Sequence, residues 1–273
     1  MNIPTMAQRL AERERPEGAP VMRQRWARLL FLHWEWDAEE IQRTLPPGLS
    51  VDLHEGRAWV GVVPFFMERV RPRGLPAVPG LSNFLELNVR TYVHDAQGRP
   101  GVWFYSLDAN QWLAVTIARK FFFLPYQHAA MSATVSAGTG AVEFRSQRAE
   151  TERESRFGYR PAEDAVAGEA KAGTLEFFLL ERYRLFAWDA RGGRLFSGRV
   201  HHTPYRIAAA PDATWEDATM ELAGFDVEGR APEHLCVARA ADVEIWPLKR
   251  VAERVRRDAE AGEGLGIGVG APA

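Results

Sequence analysis

Hydrophobic and polar residues alternate with a period of two over residues 84–93, FLELNVRTYV, which predicts a β-strand. Leu85, Leu87, Val89, Thr91 and Val93 share one side; Phe84, Glu86, Asn88, Arg90 and Tyr92 share the other. A solvated strand face usually carries interchangeable Lys, Thr, Ser and Glu, whereas this one sets an acid, an amide and a guanidinium between two aromatics. Such a mixture suits the inside of a pocket.

The rest of the chain organises itself around that strand. Residues 1–20 are charged and broken by Pro and Gly, which predicts a short frayed helix in a flexible segment, with order beginning near Val21. An aromatic and aliphatic run over 25–36 is followed by a short helix that Asp37 caps and Pro46-Pro47-Gly48 ends. A hairpin is expected from 51–54 and 59–65 around Glu55-Gly56, and the loop 71–80, rich in proline yet apolar, reads as a lid. A strand over 102–107 pairs with the central one, and Asp108 is placed to cap a helix over 110–122. Beyond it come a hairpin turning at Gly138 to Gly140, a helix over 174–183 capped by Thr174, and strands near 184–188, 195–202, 235–240 and 243–246.

About ten strands with three or four short helices would leave open edges in a flat sheet, so a closed barrel is favoured. The fold class expected is mainly β (α+β). A single domain over 21–248 is followed by a tail, 249–273, read as a basic amphipathic helix with a Gly-rich end.

Composition narrows the function classes. Thirty-four basic against thirty-six acidic residues leave a net charge of -2, so no global field favours nucleic acid or a membrane as partner. The single cysteine, Cys236, rules out an intramolecular disulfide and fits a reducing compartment, and the N-terminus has no signal-peptide core; a cytoplasmic location is expected. The histidines form no HExxH pattern, and adjacent His201 and His202 point to opposite faces of a strand, so neither metal nor cofactor is expected.

The segments ELNVRTYV, GVWFYSLDA, ARKFFFLPY, GTLEFFLLERY and VHHTPY, together with LHW, LPPGL and WVGVVPF nearer the start, carry a resemblance over about residues 22–248. In this order and spacing they resemble the YqjF-like bacterial family, which is grouped with the acetoacetate decarboxylase-like superfamily. The resemblance implies a mostly antiparallel β-barrel with a small-molecule cavity inside it. Acetoacetate decarboxylases carry an arginine, five further residues, a proline, the Schiff-base lysine and a second lysine. Here Arg119 and Pro125 keep the spacing, but Tyr126 and Gln127 stand at the lysine positions. Neither a phenol nor an amide supplies the free amine that an imine requires.

The candidate site is therefore a constellation without a lysine nucleophile. Glu86 and Tyr126 are the candidate acid-base pair; Arg90, Asn88, Arg119 and His33 are the candidate ligand-binding residues. A buried Glu86 would have its pKa raised, and Arg90 would fork onto a carboxylate. The expected ligand is a small anionic or carbonyl-containing molecule, handled by lysine-independent acid-base chemistry of lyase, hydratase or isomerase type; the alternative is a non-catalytic binding or sensor module for a small-molecule or lipid-like ligand. A structural Glu86–Arg90 ion pair is the third reading. A homodimer through the aromatic surface is the oligomer considered.

Overall fold

Met22 to Trp36 form one long strand that pairs on both sides, and the architecture follows from that strand. The computed structural model describes residues 2–161 and 167–251. In chain order the elements are α1 (Met6–Ala11), β1 (Met22–Trp36), α2 (Ala38–Thr44), β2 (Leu49–Val51), β3 (Ala58–Pro72), β4 (Phe84–Asp95), β5 (Pro100–Ala109) and α3 (Trp112–Phe122). They continue with β6 (Tyr126–Val135), β7 (Val142–Arg148), β8 (Ser155–Tyr159), β9 (Gly168–Glu169), α4 (Leu175–Leu180), β10 (Arg184–Asp189) and β11 (Arg194–His202). The last are β12 (Arg206–Ala209), β13 (Thr214–Glu216), α5 (Thr219–Leu222), β14 (His234–Ile245) and β15 (Lys249–Arg250).

The pairings close on themselves. β1 joins β3, β3 joins β4, β4 joins β5, β5 joins β10, β10 joins β11, β11 joins β14, and β14 returns to β1. Within this ring only the β5–β10 contact is parallel. β5 also pairs in parallel with β6, which starts a second sheet of β6, β7, β8 and β13 laid against the outside of the ring.

Two large cores result, divided by the central strand β4, with a small third cluster of Leu49, Val93, Phe186, Leu195 and Val251. Phe84 and Tyr92 face inward with Phe31, Trp59, Val63 and Phe65; Leu85, Leu87 and Val89 face outward onto Phe144 and Phe157 of the second sheet. All of β4 is buried because each of its faces meets a different layer. Leu87 and Val89 are wholly out of water, each contributing about 2 kcal/mol of apolar burial.

Two irregularities keep the inner wall continuous. Arg28 in β1 takes φ 51, and the register shifts there, so that Trp26 before it and Phe31 after it face the same interior. The β4–β5 register skips Tyr105, which turns out to bond Thr44 Oγ1 at 2.7 Å while Phe104 and Leu107 both remain inside. At the parallel seam, Gly101 admits no side chain. A Cβ there would lie 2.8 Å from the Arg184 carbonyl oxygen and 2.8 Å from the Phe186 ring. Gly101→Ala is accordingly expected to lose about 1–3 kcal/mol in chemical denaturation; an unchanged midpoint would mean that the seam opens freely.

Several expectations change. The hairpin expected around Glu55-Gly56 is reduced to a single antiparallel bridge between His54 and Arg57, and β2 pairs instead with the far end of β4, Val51 opposite Val93. Asp108 is not a helix cap: it lies in β5, where Arg148 of β7 grips both its oxygens at 2.8 and 2.7 Å, and Gln111 caps α3 by accepting from the Leu113 N–H. Thr174 caps α4 as expected, but the helix ends at Leu180. The strands expected at 235–240 and 243–246 are one strand, β14. The segment before Val21, expected to fray, carries α1 with a complete capping box at Thr5 and Gln8. Ion pairs from Arg9 to Asp52 and from Glu12 to Arg184 tie it to the ring. Lys249 and Arg250, placed in a tail helix from sequence, pair as a strand with β11; the rest of that expected helix lies outside the described residues. No helix among the described residues is long and apolar enough to cross a membrane.

Candidate functional site

Inside the ring lies a cavity of about 510 Å3, within the range of small-molecule sites. Its wall is largely hydrocarbon, from Trp26, Met67, Phe84, Phe104, Leu180 and Val200 among others. Polar groups enter it at few points, and β4 supplies two of them, Glu86 and Arg90. The loop expected to act as a lid sits across one end, where Leu75, Val78 and Leu81 face α3.

Glu86 is 3% exposed, and the Tyr126 hydroxyl donates to its Oε2 at 2.8 Å. Burial pushes the Glu86 carboxyl up to about 7, against the downward pull of hydrogen bonds from Tyr126 and Asn88. Burial, followed by the charge of Glu86, holds the Tyr126 phenol well above its usual value, so this phenol is a donor and not a phenolate. A carboxyl group that titrates near neutrality beside a fixed donor can take up or release a proton at the cavity wall. The local sequence explains the approach: Phe123 adopts a left-handed conformation (φ 51) to end α3 ahead of Leu124-Pro125, and the reversed chain enters β6 beside β5, with Tyr126 opposite Leu107.

Arg90, two turns of the pleat farther along the same face, stands about 13 Å from Glu86. It is 9% exposed and makes no ion pair with any described residue. One Nη donates to the Leu179 carbonyl at 3.4 Å, Nε has no partner, and the guanidinium lies over the Phe31 and Tyr92 rings at 5.6 and 5.7 Å. The structural Glu86–Arg90 ion pair is thus absent among the described residues. A desolvated cation facing a cavity with donors to spare is suited to an anion.

The other sequence candidates are placed differently. Asn88 is buried and supports Glu86 by hydrogen bonding, but it does not reach the cavity wall, and its Oδ1 has no partner. Arg119 is exposed and turned away: its Nε donates to the Tyr126 carbonyl and an Nη to Gln127 Oε1 at 2.5 Å. Its role is to hold the chain that presents Tyr126. His33 is fully buried outside the cavity wall, with Nδ1 2.9 Å from Nδ1 of His234. Burial, then the charges of His234 and Arg90, lower its pKa well below the usual value, so it is a neutral core histidine sharing one proton with its neighbour.

Arg182, which the sequence marks first as half of a structural salt bridge and second as part of the cavity wall, lines the cavity, as do Arg184 and Tyr205, which sequence reasoning passed over. Arg182 bonds Asp52 at 2.7 Å and Arg184 bonds Glu12 at 2.8 Å, so both enter with their charge already matched. Nothing in the local pattern distinguishes Arg184 from a surface residue; only closure of the ring brings it inside. The lysines Lys120, Lys171 and Lys249 are exposed, and none lines the cavity.

Comparison with known proteins bears on the family and the fold. The chain is 35% identical over 237 residues to the uncharacterized protein YqjF of Bacillus subtilis (strain 168), covering 86% of this chain and 94% of that one. Among solved structures, the enduracididine biosynthesis enzyme MppR complexed with pyruvate matches with a TM-score of 0.59 at 15% identity, over 87% of this chain and 93% of that one. Acetoacetate decarboxylase from Legionella pneumophila matches with a TM-score of 0.57 at 15% identity, over 86% of this chain and 89% of that one. At such identities the structural matches establish a shared fold, mostly β and acetoacetate decarboxylase-like. The family model described as an uncharacterized conserved protein, DUF2071, matches residues 23–242, and with the YqjF relationship it makes this chain a member of that family.

Proposed function

We propose that the ring binds a small carboxylate with an apolar body, and that Glu86 with Tyr126 moves a proton on it. The observation that carries this reading is Arg90: a buried guanidinium without a carboxylate partner among the described residues, on the wall of a hydrocarbon cavity. Its net attraction for a ligand carboxylate is strong because water is excluded. MppR, described in complex with pyruvate, is an instance of a keto acid held by this fold, which supports the ligand class. Schiff-base chemistry is disfavoured, since no lysine lines the cavity and the Tyr126 phenol occupies the place of an amine. What remains is general acid-base work by Glu86, of the kind a lyase, hydratase or isomerase needs. The second reading, a ligand sensor without turnover, is favoured by the same apolar wall.

Calorimetric titration with pyruvate, acetoacetate, phenylpyruvate and decanoate tests the site. Saturable binding that weakens at least about tenfold in Arg90→Ala is expected, the loss of one charge-assisted pair. Equal affinity in that variant would place the anion elsewhere. Deuterium exchange at the ligand's acidic C–H, followed by NMR in D2O, separates the two readings. Exchange that disappears in Glu86→Gln means catalysis, and a bound ligand exchanging no faster than in buffer means a sensor.

A further inference from the structure

The cavity opens between the 73–83 loop and α3, and its lip is unusual for a surface exposed to water. Leu75, Val78 and Leu81 from the loop and Ile117 from α3 line the cavity, yet they are 59, 46, 44 and 41% exposed. Trp112, on the outer face of α3 and not itself part of the cavity wall, is 65% exposed. Scattered apolar residues are ordinary on a surface; four around one opening, with an exposed tryptophan on the helix that borders it, mark contact with something apolar.

The charge around this rim is one-sided. Residues 69–85 contain Arg69, Arg71 and Arg73 and no acid; residues 109–142 contain Arg119 and Lys120 and no acid, in a chain with 36 acidic residues. Arg69, Arg71, Arg73 and Arg119 form no ion pair with any described residue. The acids of β3 and β14 nearest the rim are taken up by other cations. Glu68 holds Arg25 and Arg28, Glu244 holds Arg15 and Arg23, and Asp242 holds Arg25. The near-neutral total of the chain, which argued against a membrane partner, averages over this local excess.

We propose that this lip docks on an anionic phospholipid surface, with Trp112 and the loop aliphatics at headgroup depth and the arginines against lipid phosphates. A second copy of the chain fits less well, since a two-fold contact through this face would set the same unpaired arginines against one another. The docking stands on the surface alone; only its purpose, exchange of an amphipathic carboxylate between bilayer and cavity, rests on the function proposed above.

Co-sedimentation of the full chain with sucrose-loaded vesicles tests it. Vesicles of phosphatidylcholine with phosphatidylglycerol should retain the protein, pure phosphatidylcholine vesicles should not, and added salt should release it. The double variant Arg71→Ser/Arg73→Ser should bind at least about tenfold more weakly, since each cation near an anionic surface is worth roughly a fivefold change. Trp112→Ser should also weaken binding, whereas Arg57→Ser/Arg230→Ser, at the other end of β1, should not. Melting temperatures confirm that each variant is folded. Three results overturn the proposal: no preference for the anionic vesicles, full binding by the double variant, or a dimer in solution that Trp112→Ser dissolves. If docking fails, carboxylate binding in solution is untouched; if the cavity binds no carboxylate, vesicle sedimentation still reads the lip.

Discussion

Replacing Asp52 by asparagine is expected to remove about 3–5 kcal/mol of stability, the usual cost of stripping one partner from a buried ion pair. Asp52 is 1% exposed at the end of β2 and accepts from both Nη atoms of Arg9 at 2.7 and 2.6 Å and from Arg182 Nη1 at 2.7 Å. One carboxylate thereby ties α1, the β2–β4 edge and the α4–β10 corner together. Burial alone would raise its pKa, but the two guanidinia outweigh burial and hold it below the ordinary value. Burial has the opposite consequence for Arg182, lowering it to about 10. Without Asp52, Arg182 would be a buried cation facing Arg9 with nothing between them.

The sign of the pH dependence follows. A carboxyl with a depressed folded pKa stabilises above its unfolded value of about 4 and loses that contribution as pH falls through the folded value. The gap between the parent chain and Asp52→Asn should therefore be widest near neutrality and close in acid. Urea unfolding at several pH values measures it, and Asp52→Asn/Arg182→Met should recover most of the loss. A loss under about 1 kcal/mol at pH 7 would mean that Arg9 and Arg182 find water or other partners when the carboxylate is gone.

Glu86→Gln is expected to act in the opposite direction, stabilising the fold by about 3 kcal/mol above neutral pH. The Glu86 carboxyl titrates at about 7 in the folded chain against 4.5 as its ordinary value. Between those values the folded state binds the extra proton, so stability falls as pH rises from about 4.5 to about 7, then levels off. The rise from 4.5 to about 7 corresponds to roughly 3 kcal/mol. Glutamine keeps an acceptor for the Tyr126 hydroxyl and never has to ionise. At pH 8 the variant should melt about 6–12 °C above the parent chain, and at pH 4 the two should nearly coincide. A parallel pair of melting curves across pH would show that Glu86 keeps an ordinary pKa and is not poised for proton transfer. If both results hold, the site residue destabilises the fold it serves, a common relation between function and stability.

Much of this molecule is written locally. Strict alternation over residues 84–93 assigned Glu86 and Arg90 to one face, and the structure keeps both on the cavity wall, although Asn88 between them does not reach it. Asp37 and Thr174 cap their helices as their residue types dictate. The apolar, proline-rich stretch read as a lid does border the cavity, since its prolines disfavour regular structure and Leu75 and Val78 disfavour a solvated tether.

What the chain could not disclose from its sequence depends on contacts between distant residues. Asp108 looks like a cap beside a helix; only the arrival of Arg148, 40 residues later, makes it the clamp between ring and second sheet. Arg119 sits at the end of a helix that leads to the cavity, but the reversal at Phe123 brings the Tyr126 carbonyl within reach of its guanidinium and turns it outward. The opening segment has the composition of a loose tail, and its order comes from Asp52 and Arg184, which no local pattern reveals. Periodicity and capping are short-range and encode which side chains share a face. Which faces meet, which charges are matched and where empty space remains were decided by closure of the ring.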